Sequence, residues 1–327
     1  MELKLQEAID LAVRTLVREG VRERYARMAA EHLVDAALCG HEFSSLPRLL
    51  AIVEELRKKP PPGELRIVRE SERSAVIDGG DNIGYAVSLV AVDKAIELAG
   101  KSGVAVVAVR NTWFSGRLAY YVERAARQGF IAMHTTNTTA RVAPYGGIDR
   151  LFGTNALAIA FPAADEPLVI DFMTSATSWG EAVLRKNKEQ LLPEGVAVDA
   201  QGDPTLDPQA ALNGAFLPWG GHRGSALALV VQLFAVLAGS DPVVKESGRF
   251  GLFFLVIDPG LLMPADDYKA RVTELRGIIR ASRPQKGASA VRIPGEASLR
   301  KRRENTAAGV IRVDDRIHSR ILALAGA

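Results

Sequence analysis

The stretch Ser225–Gly239, SALALVVQLFAVLAG, holds no charged residue and a single glutamine. It is shorter than the roughly 20 apolar residues that a membrane-spanning helix needs. It is therefore predicted to be a central buried helix, and the rest of the chain must build a core around it. With 327 residues, 48% hydrophobic and 24% charged, there is ample material for such a core.

The patterns around that run alternate. LQEAIDLAVRTLVREG is apolar on one helical face and stops at Gly20. RERYARMAAEHLVDAALCG is a second helix, stopped by Gly40. SLPRLLAIVEELRKK is a third, with Ser44 or Ser45 as cap and Pro47 in its first turn. After the PPPG hinge at Pro60–Gly63, LRIVRESERSAVIDGG alternates like a half-buried hairpin. VAVVAVR, FIAMHTTN, LFGTNALAIAFP, PLVIDFMT and RFGLFFLVID read as strands, separated by helical stretches. DDYKARVTELRGIIRAS is amphipathic and predicted to pack on the outside. The fold class is α/β, a central sheet flanked by N- and C-terminal helices. Residues 1–63 form a helical segment, 64–262 the α/β core, and 263–327 C-terminal helices that pack back on the N-terminal part.

Composition narrows the function. The net charge of +3 is small and spread out, and the basic run Arg300–Arg303 has no interleaved aromatic residue. It reads as an exposed helix face, and no nucleic-acid partner is expected. Cys39 is the only cysteine, and the five histidines are scattered, so neither a disulfide nor a metal site is expected. The N-terminal stretch lacks an apolar signal core, which leads us to expect a cytoplasmic protein with no membrane partner. No two of the 29 glycines are separated by a single residue, which excludes G-x-G-x-x-G and with it the usual Rossmann turn.

Several stretches carry the makings of a site. In CGHEFSSLPRLL, Gly40 ends one helix and Arg48 lies in the first turn of the next, where free N–H groups and a guanidinium favour an anion. The local alternative is an elbow whose arginine pairs with a surface carboxylate. Thr154 and Asn155 open a strand, and Asp171, Thr174 and Ser175 follow another. Gly220, Gly221 and Gly224 let backbone approach a ligand before the apolar helix, with His222 and Arg223 adding positive charge.

Taken in order, GHEFSSLPRL, VVAVRNTWFSG, APYGG, LFGTNALAIAFP, VIDFMTSATSWG, LPEGVAVDAQGDPTLDP, LPWGGHRGSALAL and IPGEAS resemble the malate/L-lactate dehydrogenase-type NAD(P)-dependent oxidoreductases over nearly the whole chain. That family includes 2-oxo acid reductases, sulfolactate and ureidoglycolate dehydrogenases and cyclic ketimine reductases. The resemblance implies a non-Rossmann nucleotide-binding fold, a homodimer with active sites near the subunit interface, and NAD or NADP as cofactor with the preference open. It implies cofactor contacts from Ile170, Asp171, Phe172, Met173, Thr174, Ser175 and Ala176, from His222 and Arg223, and from Gly295, Glu296 and Ala297. Glu296 can equally cap the helix that follows it. Arg48 would hold the substrate carboxylate, with Thr154 and Asn155 lining the pocket. Arg117 is either a second substrate-binding group or a surface residue.

Two motifs depart from the family's pattern. Its elbow reads Ser-His-Gly, with the histidine as proton donor; here Ser44 stands at the histidine position. Its Asn-His-Phe-Gly motif reads RNTWFSGR here, with Phe114 in place of the histidine. Three explanations follow: His41 swings in, His134 reaches the site, or the substrate needs no strong acid. The third is favoured. A C=N substrate arrives protonated, and Phe43, Trp113 and Phe114 offer an apolar, π-rich wall for a ring cation. The expected activity is hydride transfer to C2 of a 2-imino or 2-oxo acid, a cyclic ketimine such as pyrroline- or piperideine-2-carboxylate being favoured. The alternatives are a malate/lactate-type 2-hydroxy acid dehydrogenase using another histidine and a noncatalytic nucleotide-binding relative.

Overall fold

The computed structural model describes residues 1–246 and 248–326. A short strand β1 (Glu2–Lys4) leads into helices α1 (Leu5–Arg18), α2 (Glu23–Leu38) and α3 (Arg48–Leu56). α1 buries Ala8, Leu11, Ala12, Thr15 and Leu16, one helical stripe. Gly20 and Gly40 follow α1 and α2 at φ 87° and 81°, a conformation that costs glycine little. The serines do not cap α3. Pro47 is its N-cap, and the Ser45 hydroxyl donates back to the Glu42 carbonyl at 2.6 Å, because the elbow is closed as a turn of its own.

The core then runs β2 (Arg66–Glu70), β3 (Ser74–Asp78), α4 (Gly84–Ser102), β4 (Val104–Arg110), α5 (Ala119–Ala126), β5 (Ile131–Thr136), β6 (Ala156–Phe161) and β7 (Leu168–Met173). Next come α6 (Trp179–Asn187), β8 (Ala197–Val198), α7 (Pro208–Asn213), β9 (Ala215–Phe216), α8 (His222–Leu237) and β10 (Leu252–Ile257). The chain closes with α9 (Ala265–Ala281), α10 (Glu296–Ala308), β11 (Val310–Arg312) and α11 (Asp315–Ala325).

Seven strands form one mixed sheet in the order β2-β3-β4-β10-β5-β6-β7. Only β3 and β4 are parallel, joined by the crossover helix α4; β10 enters late and pairs antiparallel with both β4 and β5. Side chains alternate faces along β10. Phe254 stacks on His134, against which Tyr121 of α5 packs, whereas Phe253 stacks on Phe234 of α8. Helices α5 and α8 thus lie on opposite faces of the sheet.

α8 is not the enclosed helix expected from its composition. Its sheet-facing stripe is small: Gly224, Ala228, Val231, Gln232 and Ala235 are buried. Leu229, Val230, Leu233, Val236 and Leu237 point outward, and Leu237 keeps 72% of its surface exposed. Small residues let the helix approach the sheet closely, which leaves the bulk on the other side. On α9 only Arg276 is buried, while Leu275, Ile278 and Ile279 are exposed. Among the described residues no helix is long and apolar enough to cross a membrane.

The ends of the chain meet. β1 pairs with β11, Glu2 opposite Arg312, α11 packs on α1, and α10 packs on α2. The run Arg300–Arg303 is not simply an exposed face. Arg302 turns inward, its Nε 2.8 Å from Asp35 and its Nη1 2.6 Å from Glu123.

Candidate active site

The elbow places Arg48 at the first position of α3, half-buried, with Ser44 half-buried just before it. The Arg48 guanidinium carbon lies 4.1 Å from the centre of the Phe114 ring and 5.7 Å from that of Phe43. The expected aromatic wall exists, but the cation on its π faces is Arg48 itself. Trp113 is buried behind Phe114, its indole N–H donating to the Asp81 carbonyl at 3.0 Å. Phe43 reaches the start of α6: a Cβ on Gly180 would stand 2.2 Å from its ring. Gly180 is what lets the ring seat there, so the elbow adjoins the segment that follows β7.

That segment is a junction. Thr174 donates to the Thr154 carbonyl through its N–H at 3.0 Å and its hydroxyl at 3.1 Å, Ala176 N–H donates to Leu217 O, and Trp219 N–H donates to Thr174 O. Along β7 the side chains alternate. Phe172 faces the Trp219 ring, 6.3 Å away, and Trp219 leads to the turn before α8. Asp171 points the other way. It accepts from Ala119 N–H at 2.8 Å; its carboxyl end is desolvated, which raises its pKa, although the residue as a whole keeps an exposed surface. Asp171 lines a cavity of about 110 Å³ together with Val169, Gly295, Ser298, His41 and Arg302. β7 therefore joins two of the predicted cofactor regions, the Gly295 end and the His222–Arg223 turn, into one strip.

The turn itself has the character of an anion site. Gly220 and Gly221 take φ near 63° and 64°, and no side chain caps the helix that starts at His222. Leading N–H groups of a 16-residue helix, with His222 and Arg223 exposed on them, favour negative charge. Tyr145 stands 6.0 Å from the His222 ring. Two of the elements that touch this region carry buried polar atoms without a protein partner: Asn155 Oδ1, whose amide bonds to Ala228 of α8, and Ser175 Oγ, whose backbone bridges to Pro218. Buried groups of this kind ordinarily find a partner, so the strip is short of hydrogen bonds that a polar ligand or water would supply.

Several predicted residues are held by neighbouring groups. Asn155 is fully buried, its amide donating to Ala228 O and Gln232 Oε1 at 2.9 Å, which pins β6 to α8 and leaves its Oδ1 unpartnered. Arg117 is not a surface residue: its guanidinium pairs with Asp35, its backbone N–H donates to His32 Nε2 at 2.9 Å, and it lines the same cavity as Asp171. Glu296 and Ala297 open α10, and the Glu296 carboxylate pairs with Arg280.

None of the described contacts places a histidine against Arg48. His41 is exposed, its Nε2 3.2 Å from Ser298 Oγ. His134 donates through Nδ1 to Phe253 O at 3.1 Å, and burial pushes its pKa down to about 3, leaving it uncharged at neutral pH. His32 is buried, held well below the usual range by desolvation and then by the Arg117 charge. His318 lies on α11 at the far end of the chain. The residue that sequence reasoning missed is Tyr85, buried beside Arg48. Nothing local separates it from a core tyrosine; only Gly84 before it, packed on the Trp113–Phe114 backbone, hints at a close approach.

The family model for malate/L-lactate dehydrogenases matches residues 3–322. The chain is 35% identical to the L-sulfolactate dehydrogenase of Methanocaldococcus jannaschii, over 92% of this chain and 90% of that protein. A solved sulfolactate dehydrogenase structure from the same organism superposes with a TM-score of 0.90 at 33% identity, covering 100% of this chain and 97% of the other. A Δ1-pyrroline-2-carboxylate/Δ1-piperideine-2-carboxylate reductase of Pseudomonas aeruginosa is 31% identical, over 99% of both chains. These relatives are dehydrogenases and reductases, and the chain is an oxidoreductase that belongs to the malate/L-lactate dehydrogenase family.

Proposed function

We propose that this oxidoreductase uses NADH or NADPH to reduce C2 of a small 2-imino or 2-oxo carboxylic acid, and that a cyclic ketimine is its better substrate. The single observation that carries the reading is Arg48, set at a helix start and packed between aromatic rings, with Ser44 rather than a histidine four residues before it in the elbow. Arg48 binds the carboxylate through its N–H fork, a charge-assisted pairing that also fixes orientation. Residues along the strip from Gly295 through β7 to the Gly220–Gly221 turn would hold the dinucleotide, and the free N–H groups at the start of α8 would favour its phosphates. Bound there, the reduced nicotinamide supplies the hydride.

The proton balance decides between substrates. An oxo acid reduced at C2 becomes an alkoxide and needs a proton, for which a serine hydroxyl is far too weak an acid. A ring imine that enters as its iminium becomes a neutral secondary amine on receiving hydride, so no proton is needed in that step. Ser44 then only has to hold the ring nitrogen or a water. Steady-state assays with both nicotinamides are expected to give faster turnover of pyrroline- or piperideine-2-carboxylate than of pyruvate, oxaloacetate or sulfopyruvate; the reverse order sinks the preference.

A second reading, a 2-hydroxy acid dehydrogenase, is favoured by the identity to the sulfolactate enzyme. Arg117, whose guanidinium pairs with Asp35, bears only on members of this class with a second acidic group and leaves a monocarboxylate such as lactate untouched.

A second copy of the chain suits the outward leucines of α8, an apolar band of the kind that marks an interface. The expected species is a homodimer. Leu233→Asp combined with Leu237→Asp is expected to yield monomers by sedimentation velocity. An unmodified chain that sediments as a monomer at micromolar concentration contradicts this.

A further inference from the structure

The loop between β4 and α5 is bent in an unusual way. Asn111, Phe114 and Gly116 all have positive φ, at 58°, 49° and 72°. Asparagine and glycine adopt that conformation readily, but a bulky aromatic residue is strained there. Strain of this kind persists only where the surroundings over-determine it. Here they do. Asn111 Nδ2 donates to Asp78 at 3.0 Å, Thr112 Oγ1 to Asn82 O at 2.7 Å, and Tyr121 Oη to Ser115 O at 2.6 Å. Gly84 N–H donates to Trp113 O at 2.7 Å, and a Cβ on Gly84 would stand 3.0 Å from Phe114 O, so the start of α4 clamps the loop directly.

What the bend achieves is the placement of one ring. Phe114 is turned under the Arg48 guanidinium at 4.1 Å, with Phe43 at 5.7 Å. Burial pushes the Tyr85 phenol up, and the Arg48 guanidinium beside its hydroxyl pulls it back. A planar cation stacked on an aromatic ring loses its freedom to tumble, yet keeps its N–H edge free for a carboxylate.

We propose that Phe114 is a positioning residue: its left-handed backbone holds a π face under Arg48, so that the guanidinium meets the substrate carboxylate edge-on in one orientation. This rests on the Proposed function only in that Arg48 binds a carboxylate; it holds for imino and oxo acids alike. It also gives the lost imidazole of the family motif a replacement with a different task.

The test compares Phe114→Leu, Phe114→Gly and Phe114→Tyr with Arg48→Leu. The probe is picolinate, a planar ring 2-carboxylate, titrated into the NADH-saturated enzyme; KM for whichever acid turns over, NADH affinity and Tm are measured alongside. Leu and Gly are expected to weaken picolinate binding and raise KM about tenfold, the scale of a lost desolvated cation–π contact, while Tyr keeps both within about threefold. NADH affinity stays near wild type. Phe114→Gly, which relieves the backbone, is expected to melt above Phe114→Leu although it removes more apolar surface. A folded Phe114→Leu or Phe114→Gly with picolinate affinity and KM within twofold of wild type overturns the proposal. If Arg48→Leu also leaves them unchanged, the carboxylate role of Arg48 fails with it. If Arg48→Leu abolishes binding and the Phe114 variants do not, only this inference fails.

Discussion

Arg48→Leu is expected to lower kcat/KM by about a thousandfold, equivalent to about 4 kcal/mol. The substitution removes the guanidinium from the pocket and leaves a substrate carboxylate to be desolvated without a partner. Leucine keeps much of the packing against Phe43 and Phe114, so the loss reports the charge and not a collapsed elbow. The affinity for NADH is expected to hold, because the substitution leaves the proposed nucleotide contacts on β7 and in the turn before α8 in place. Steady-state kinetics with a parallel nucleotide titration checks this. A variant that keeps a tenth of wild-type kcat/KM would show that Arg48 does not carry the carboxylate.

Gly224→Ala is expected to damage the other half of the site. A Cβ there would stand 1.7 Å from the Trp219 carbonyl oxygen and 2.7 Å from its carbon. Backbone cannot swing aside as a long side chain can, so the turn from Trp219 to Arg223 must open. The cost to stability is about 3 kcal/mol, the range of a rigid steric misfit. The turn presents the helix N–H groups, so nucleotide affinity is expected to fall by about tenfold or more. Thermal melting and NADH fluorescence titration read the two effects separately. An alanine variant that melts and binds like wild type would remove the turn from the proposed site.

Much of this was legible from local pattern. Gly20 and Gly40 mark helix ends because only the residues beside them are involved, and the strands announce themselves by apolar blocks. The elbow with Arg48 could be read from Gly40 and Pro47. What escaped depends on distant partners. Arg302 looks like a surface cation, and Arg117 like either a surface or a substrate-binding one, until Asp35 and Glu123 are placed beside them. The orientation of α8 escaped because its small residues and its leucines all score as apolar; only the sheet decides which side they face. The aromatic wall was found, but its direction was not, since a left-handed φ at Phe114 leaves no mark in the sequence. β1 and β11 are three residues each, too short for periodicity, and pair across almost the whole chain.

That last pairing has a consequence for how the protein is made. A nascent polypeptide displays α1 and α2, and the elbow that follows them, long before Val310–Arg312 has been translated. Until then β1 is an unpaired edge and α1 lacks the cover of α11, so the early helices wait with apolar surface showing. The cover that α11 gives α1 and α3 thus arrives at a late stage of synthesis, and trimming the strand at 310–312 is expected to strike the opposite terminus first.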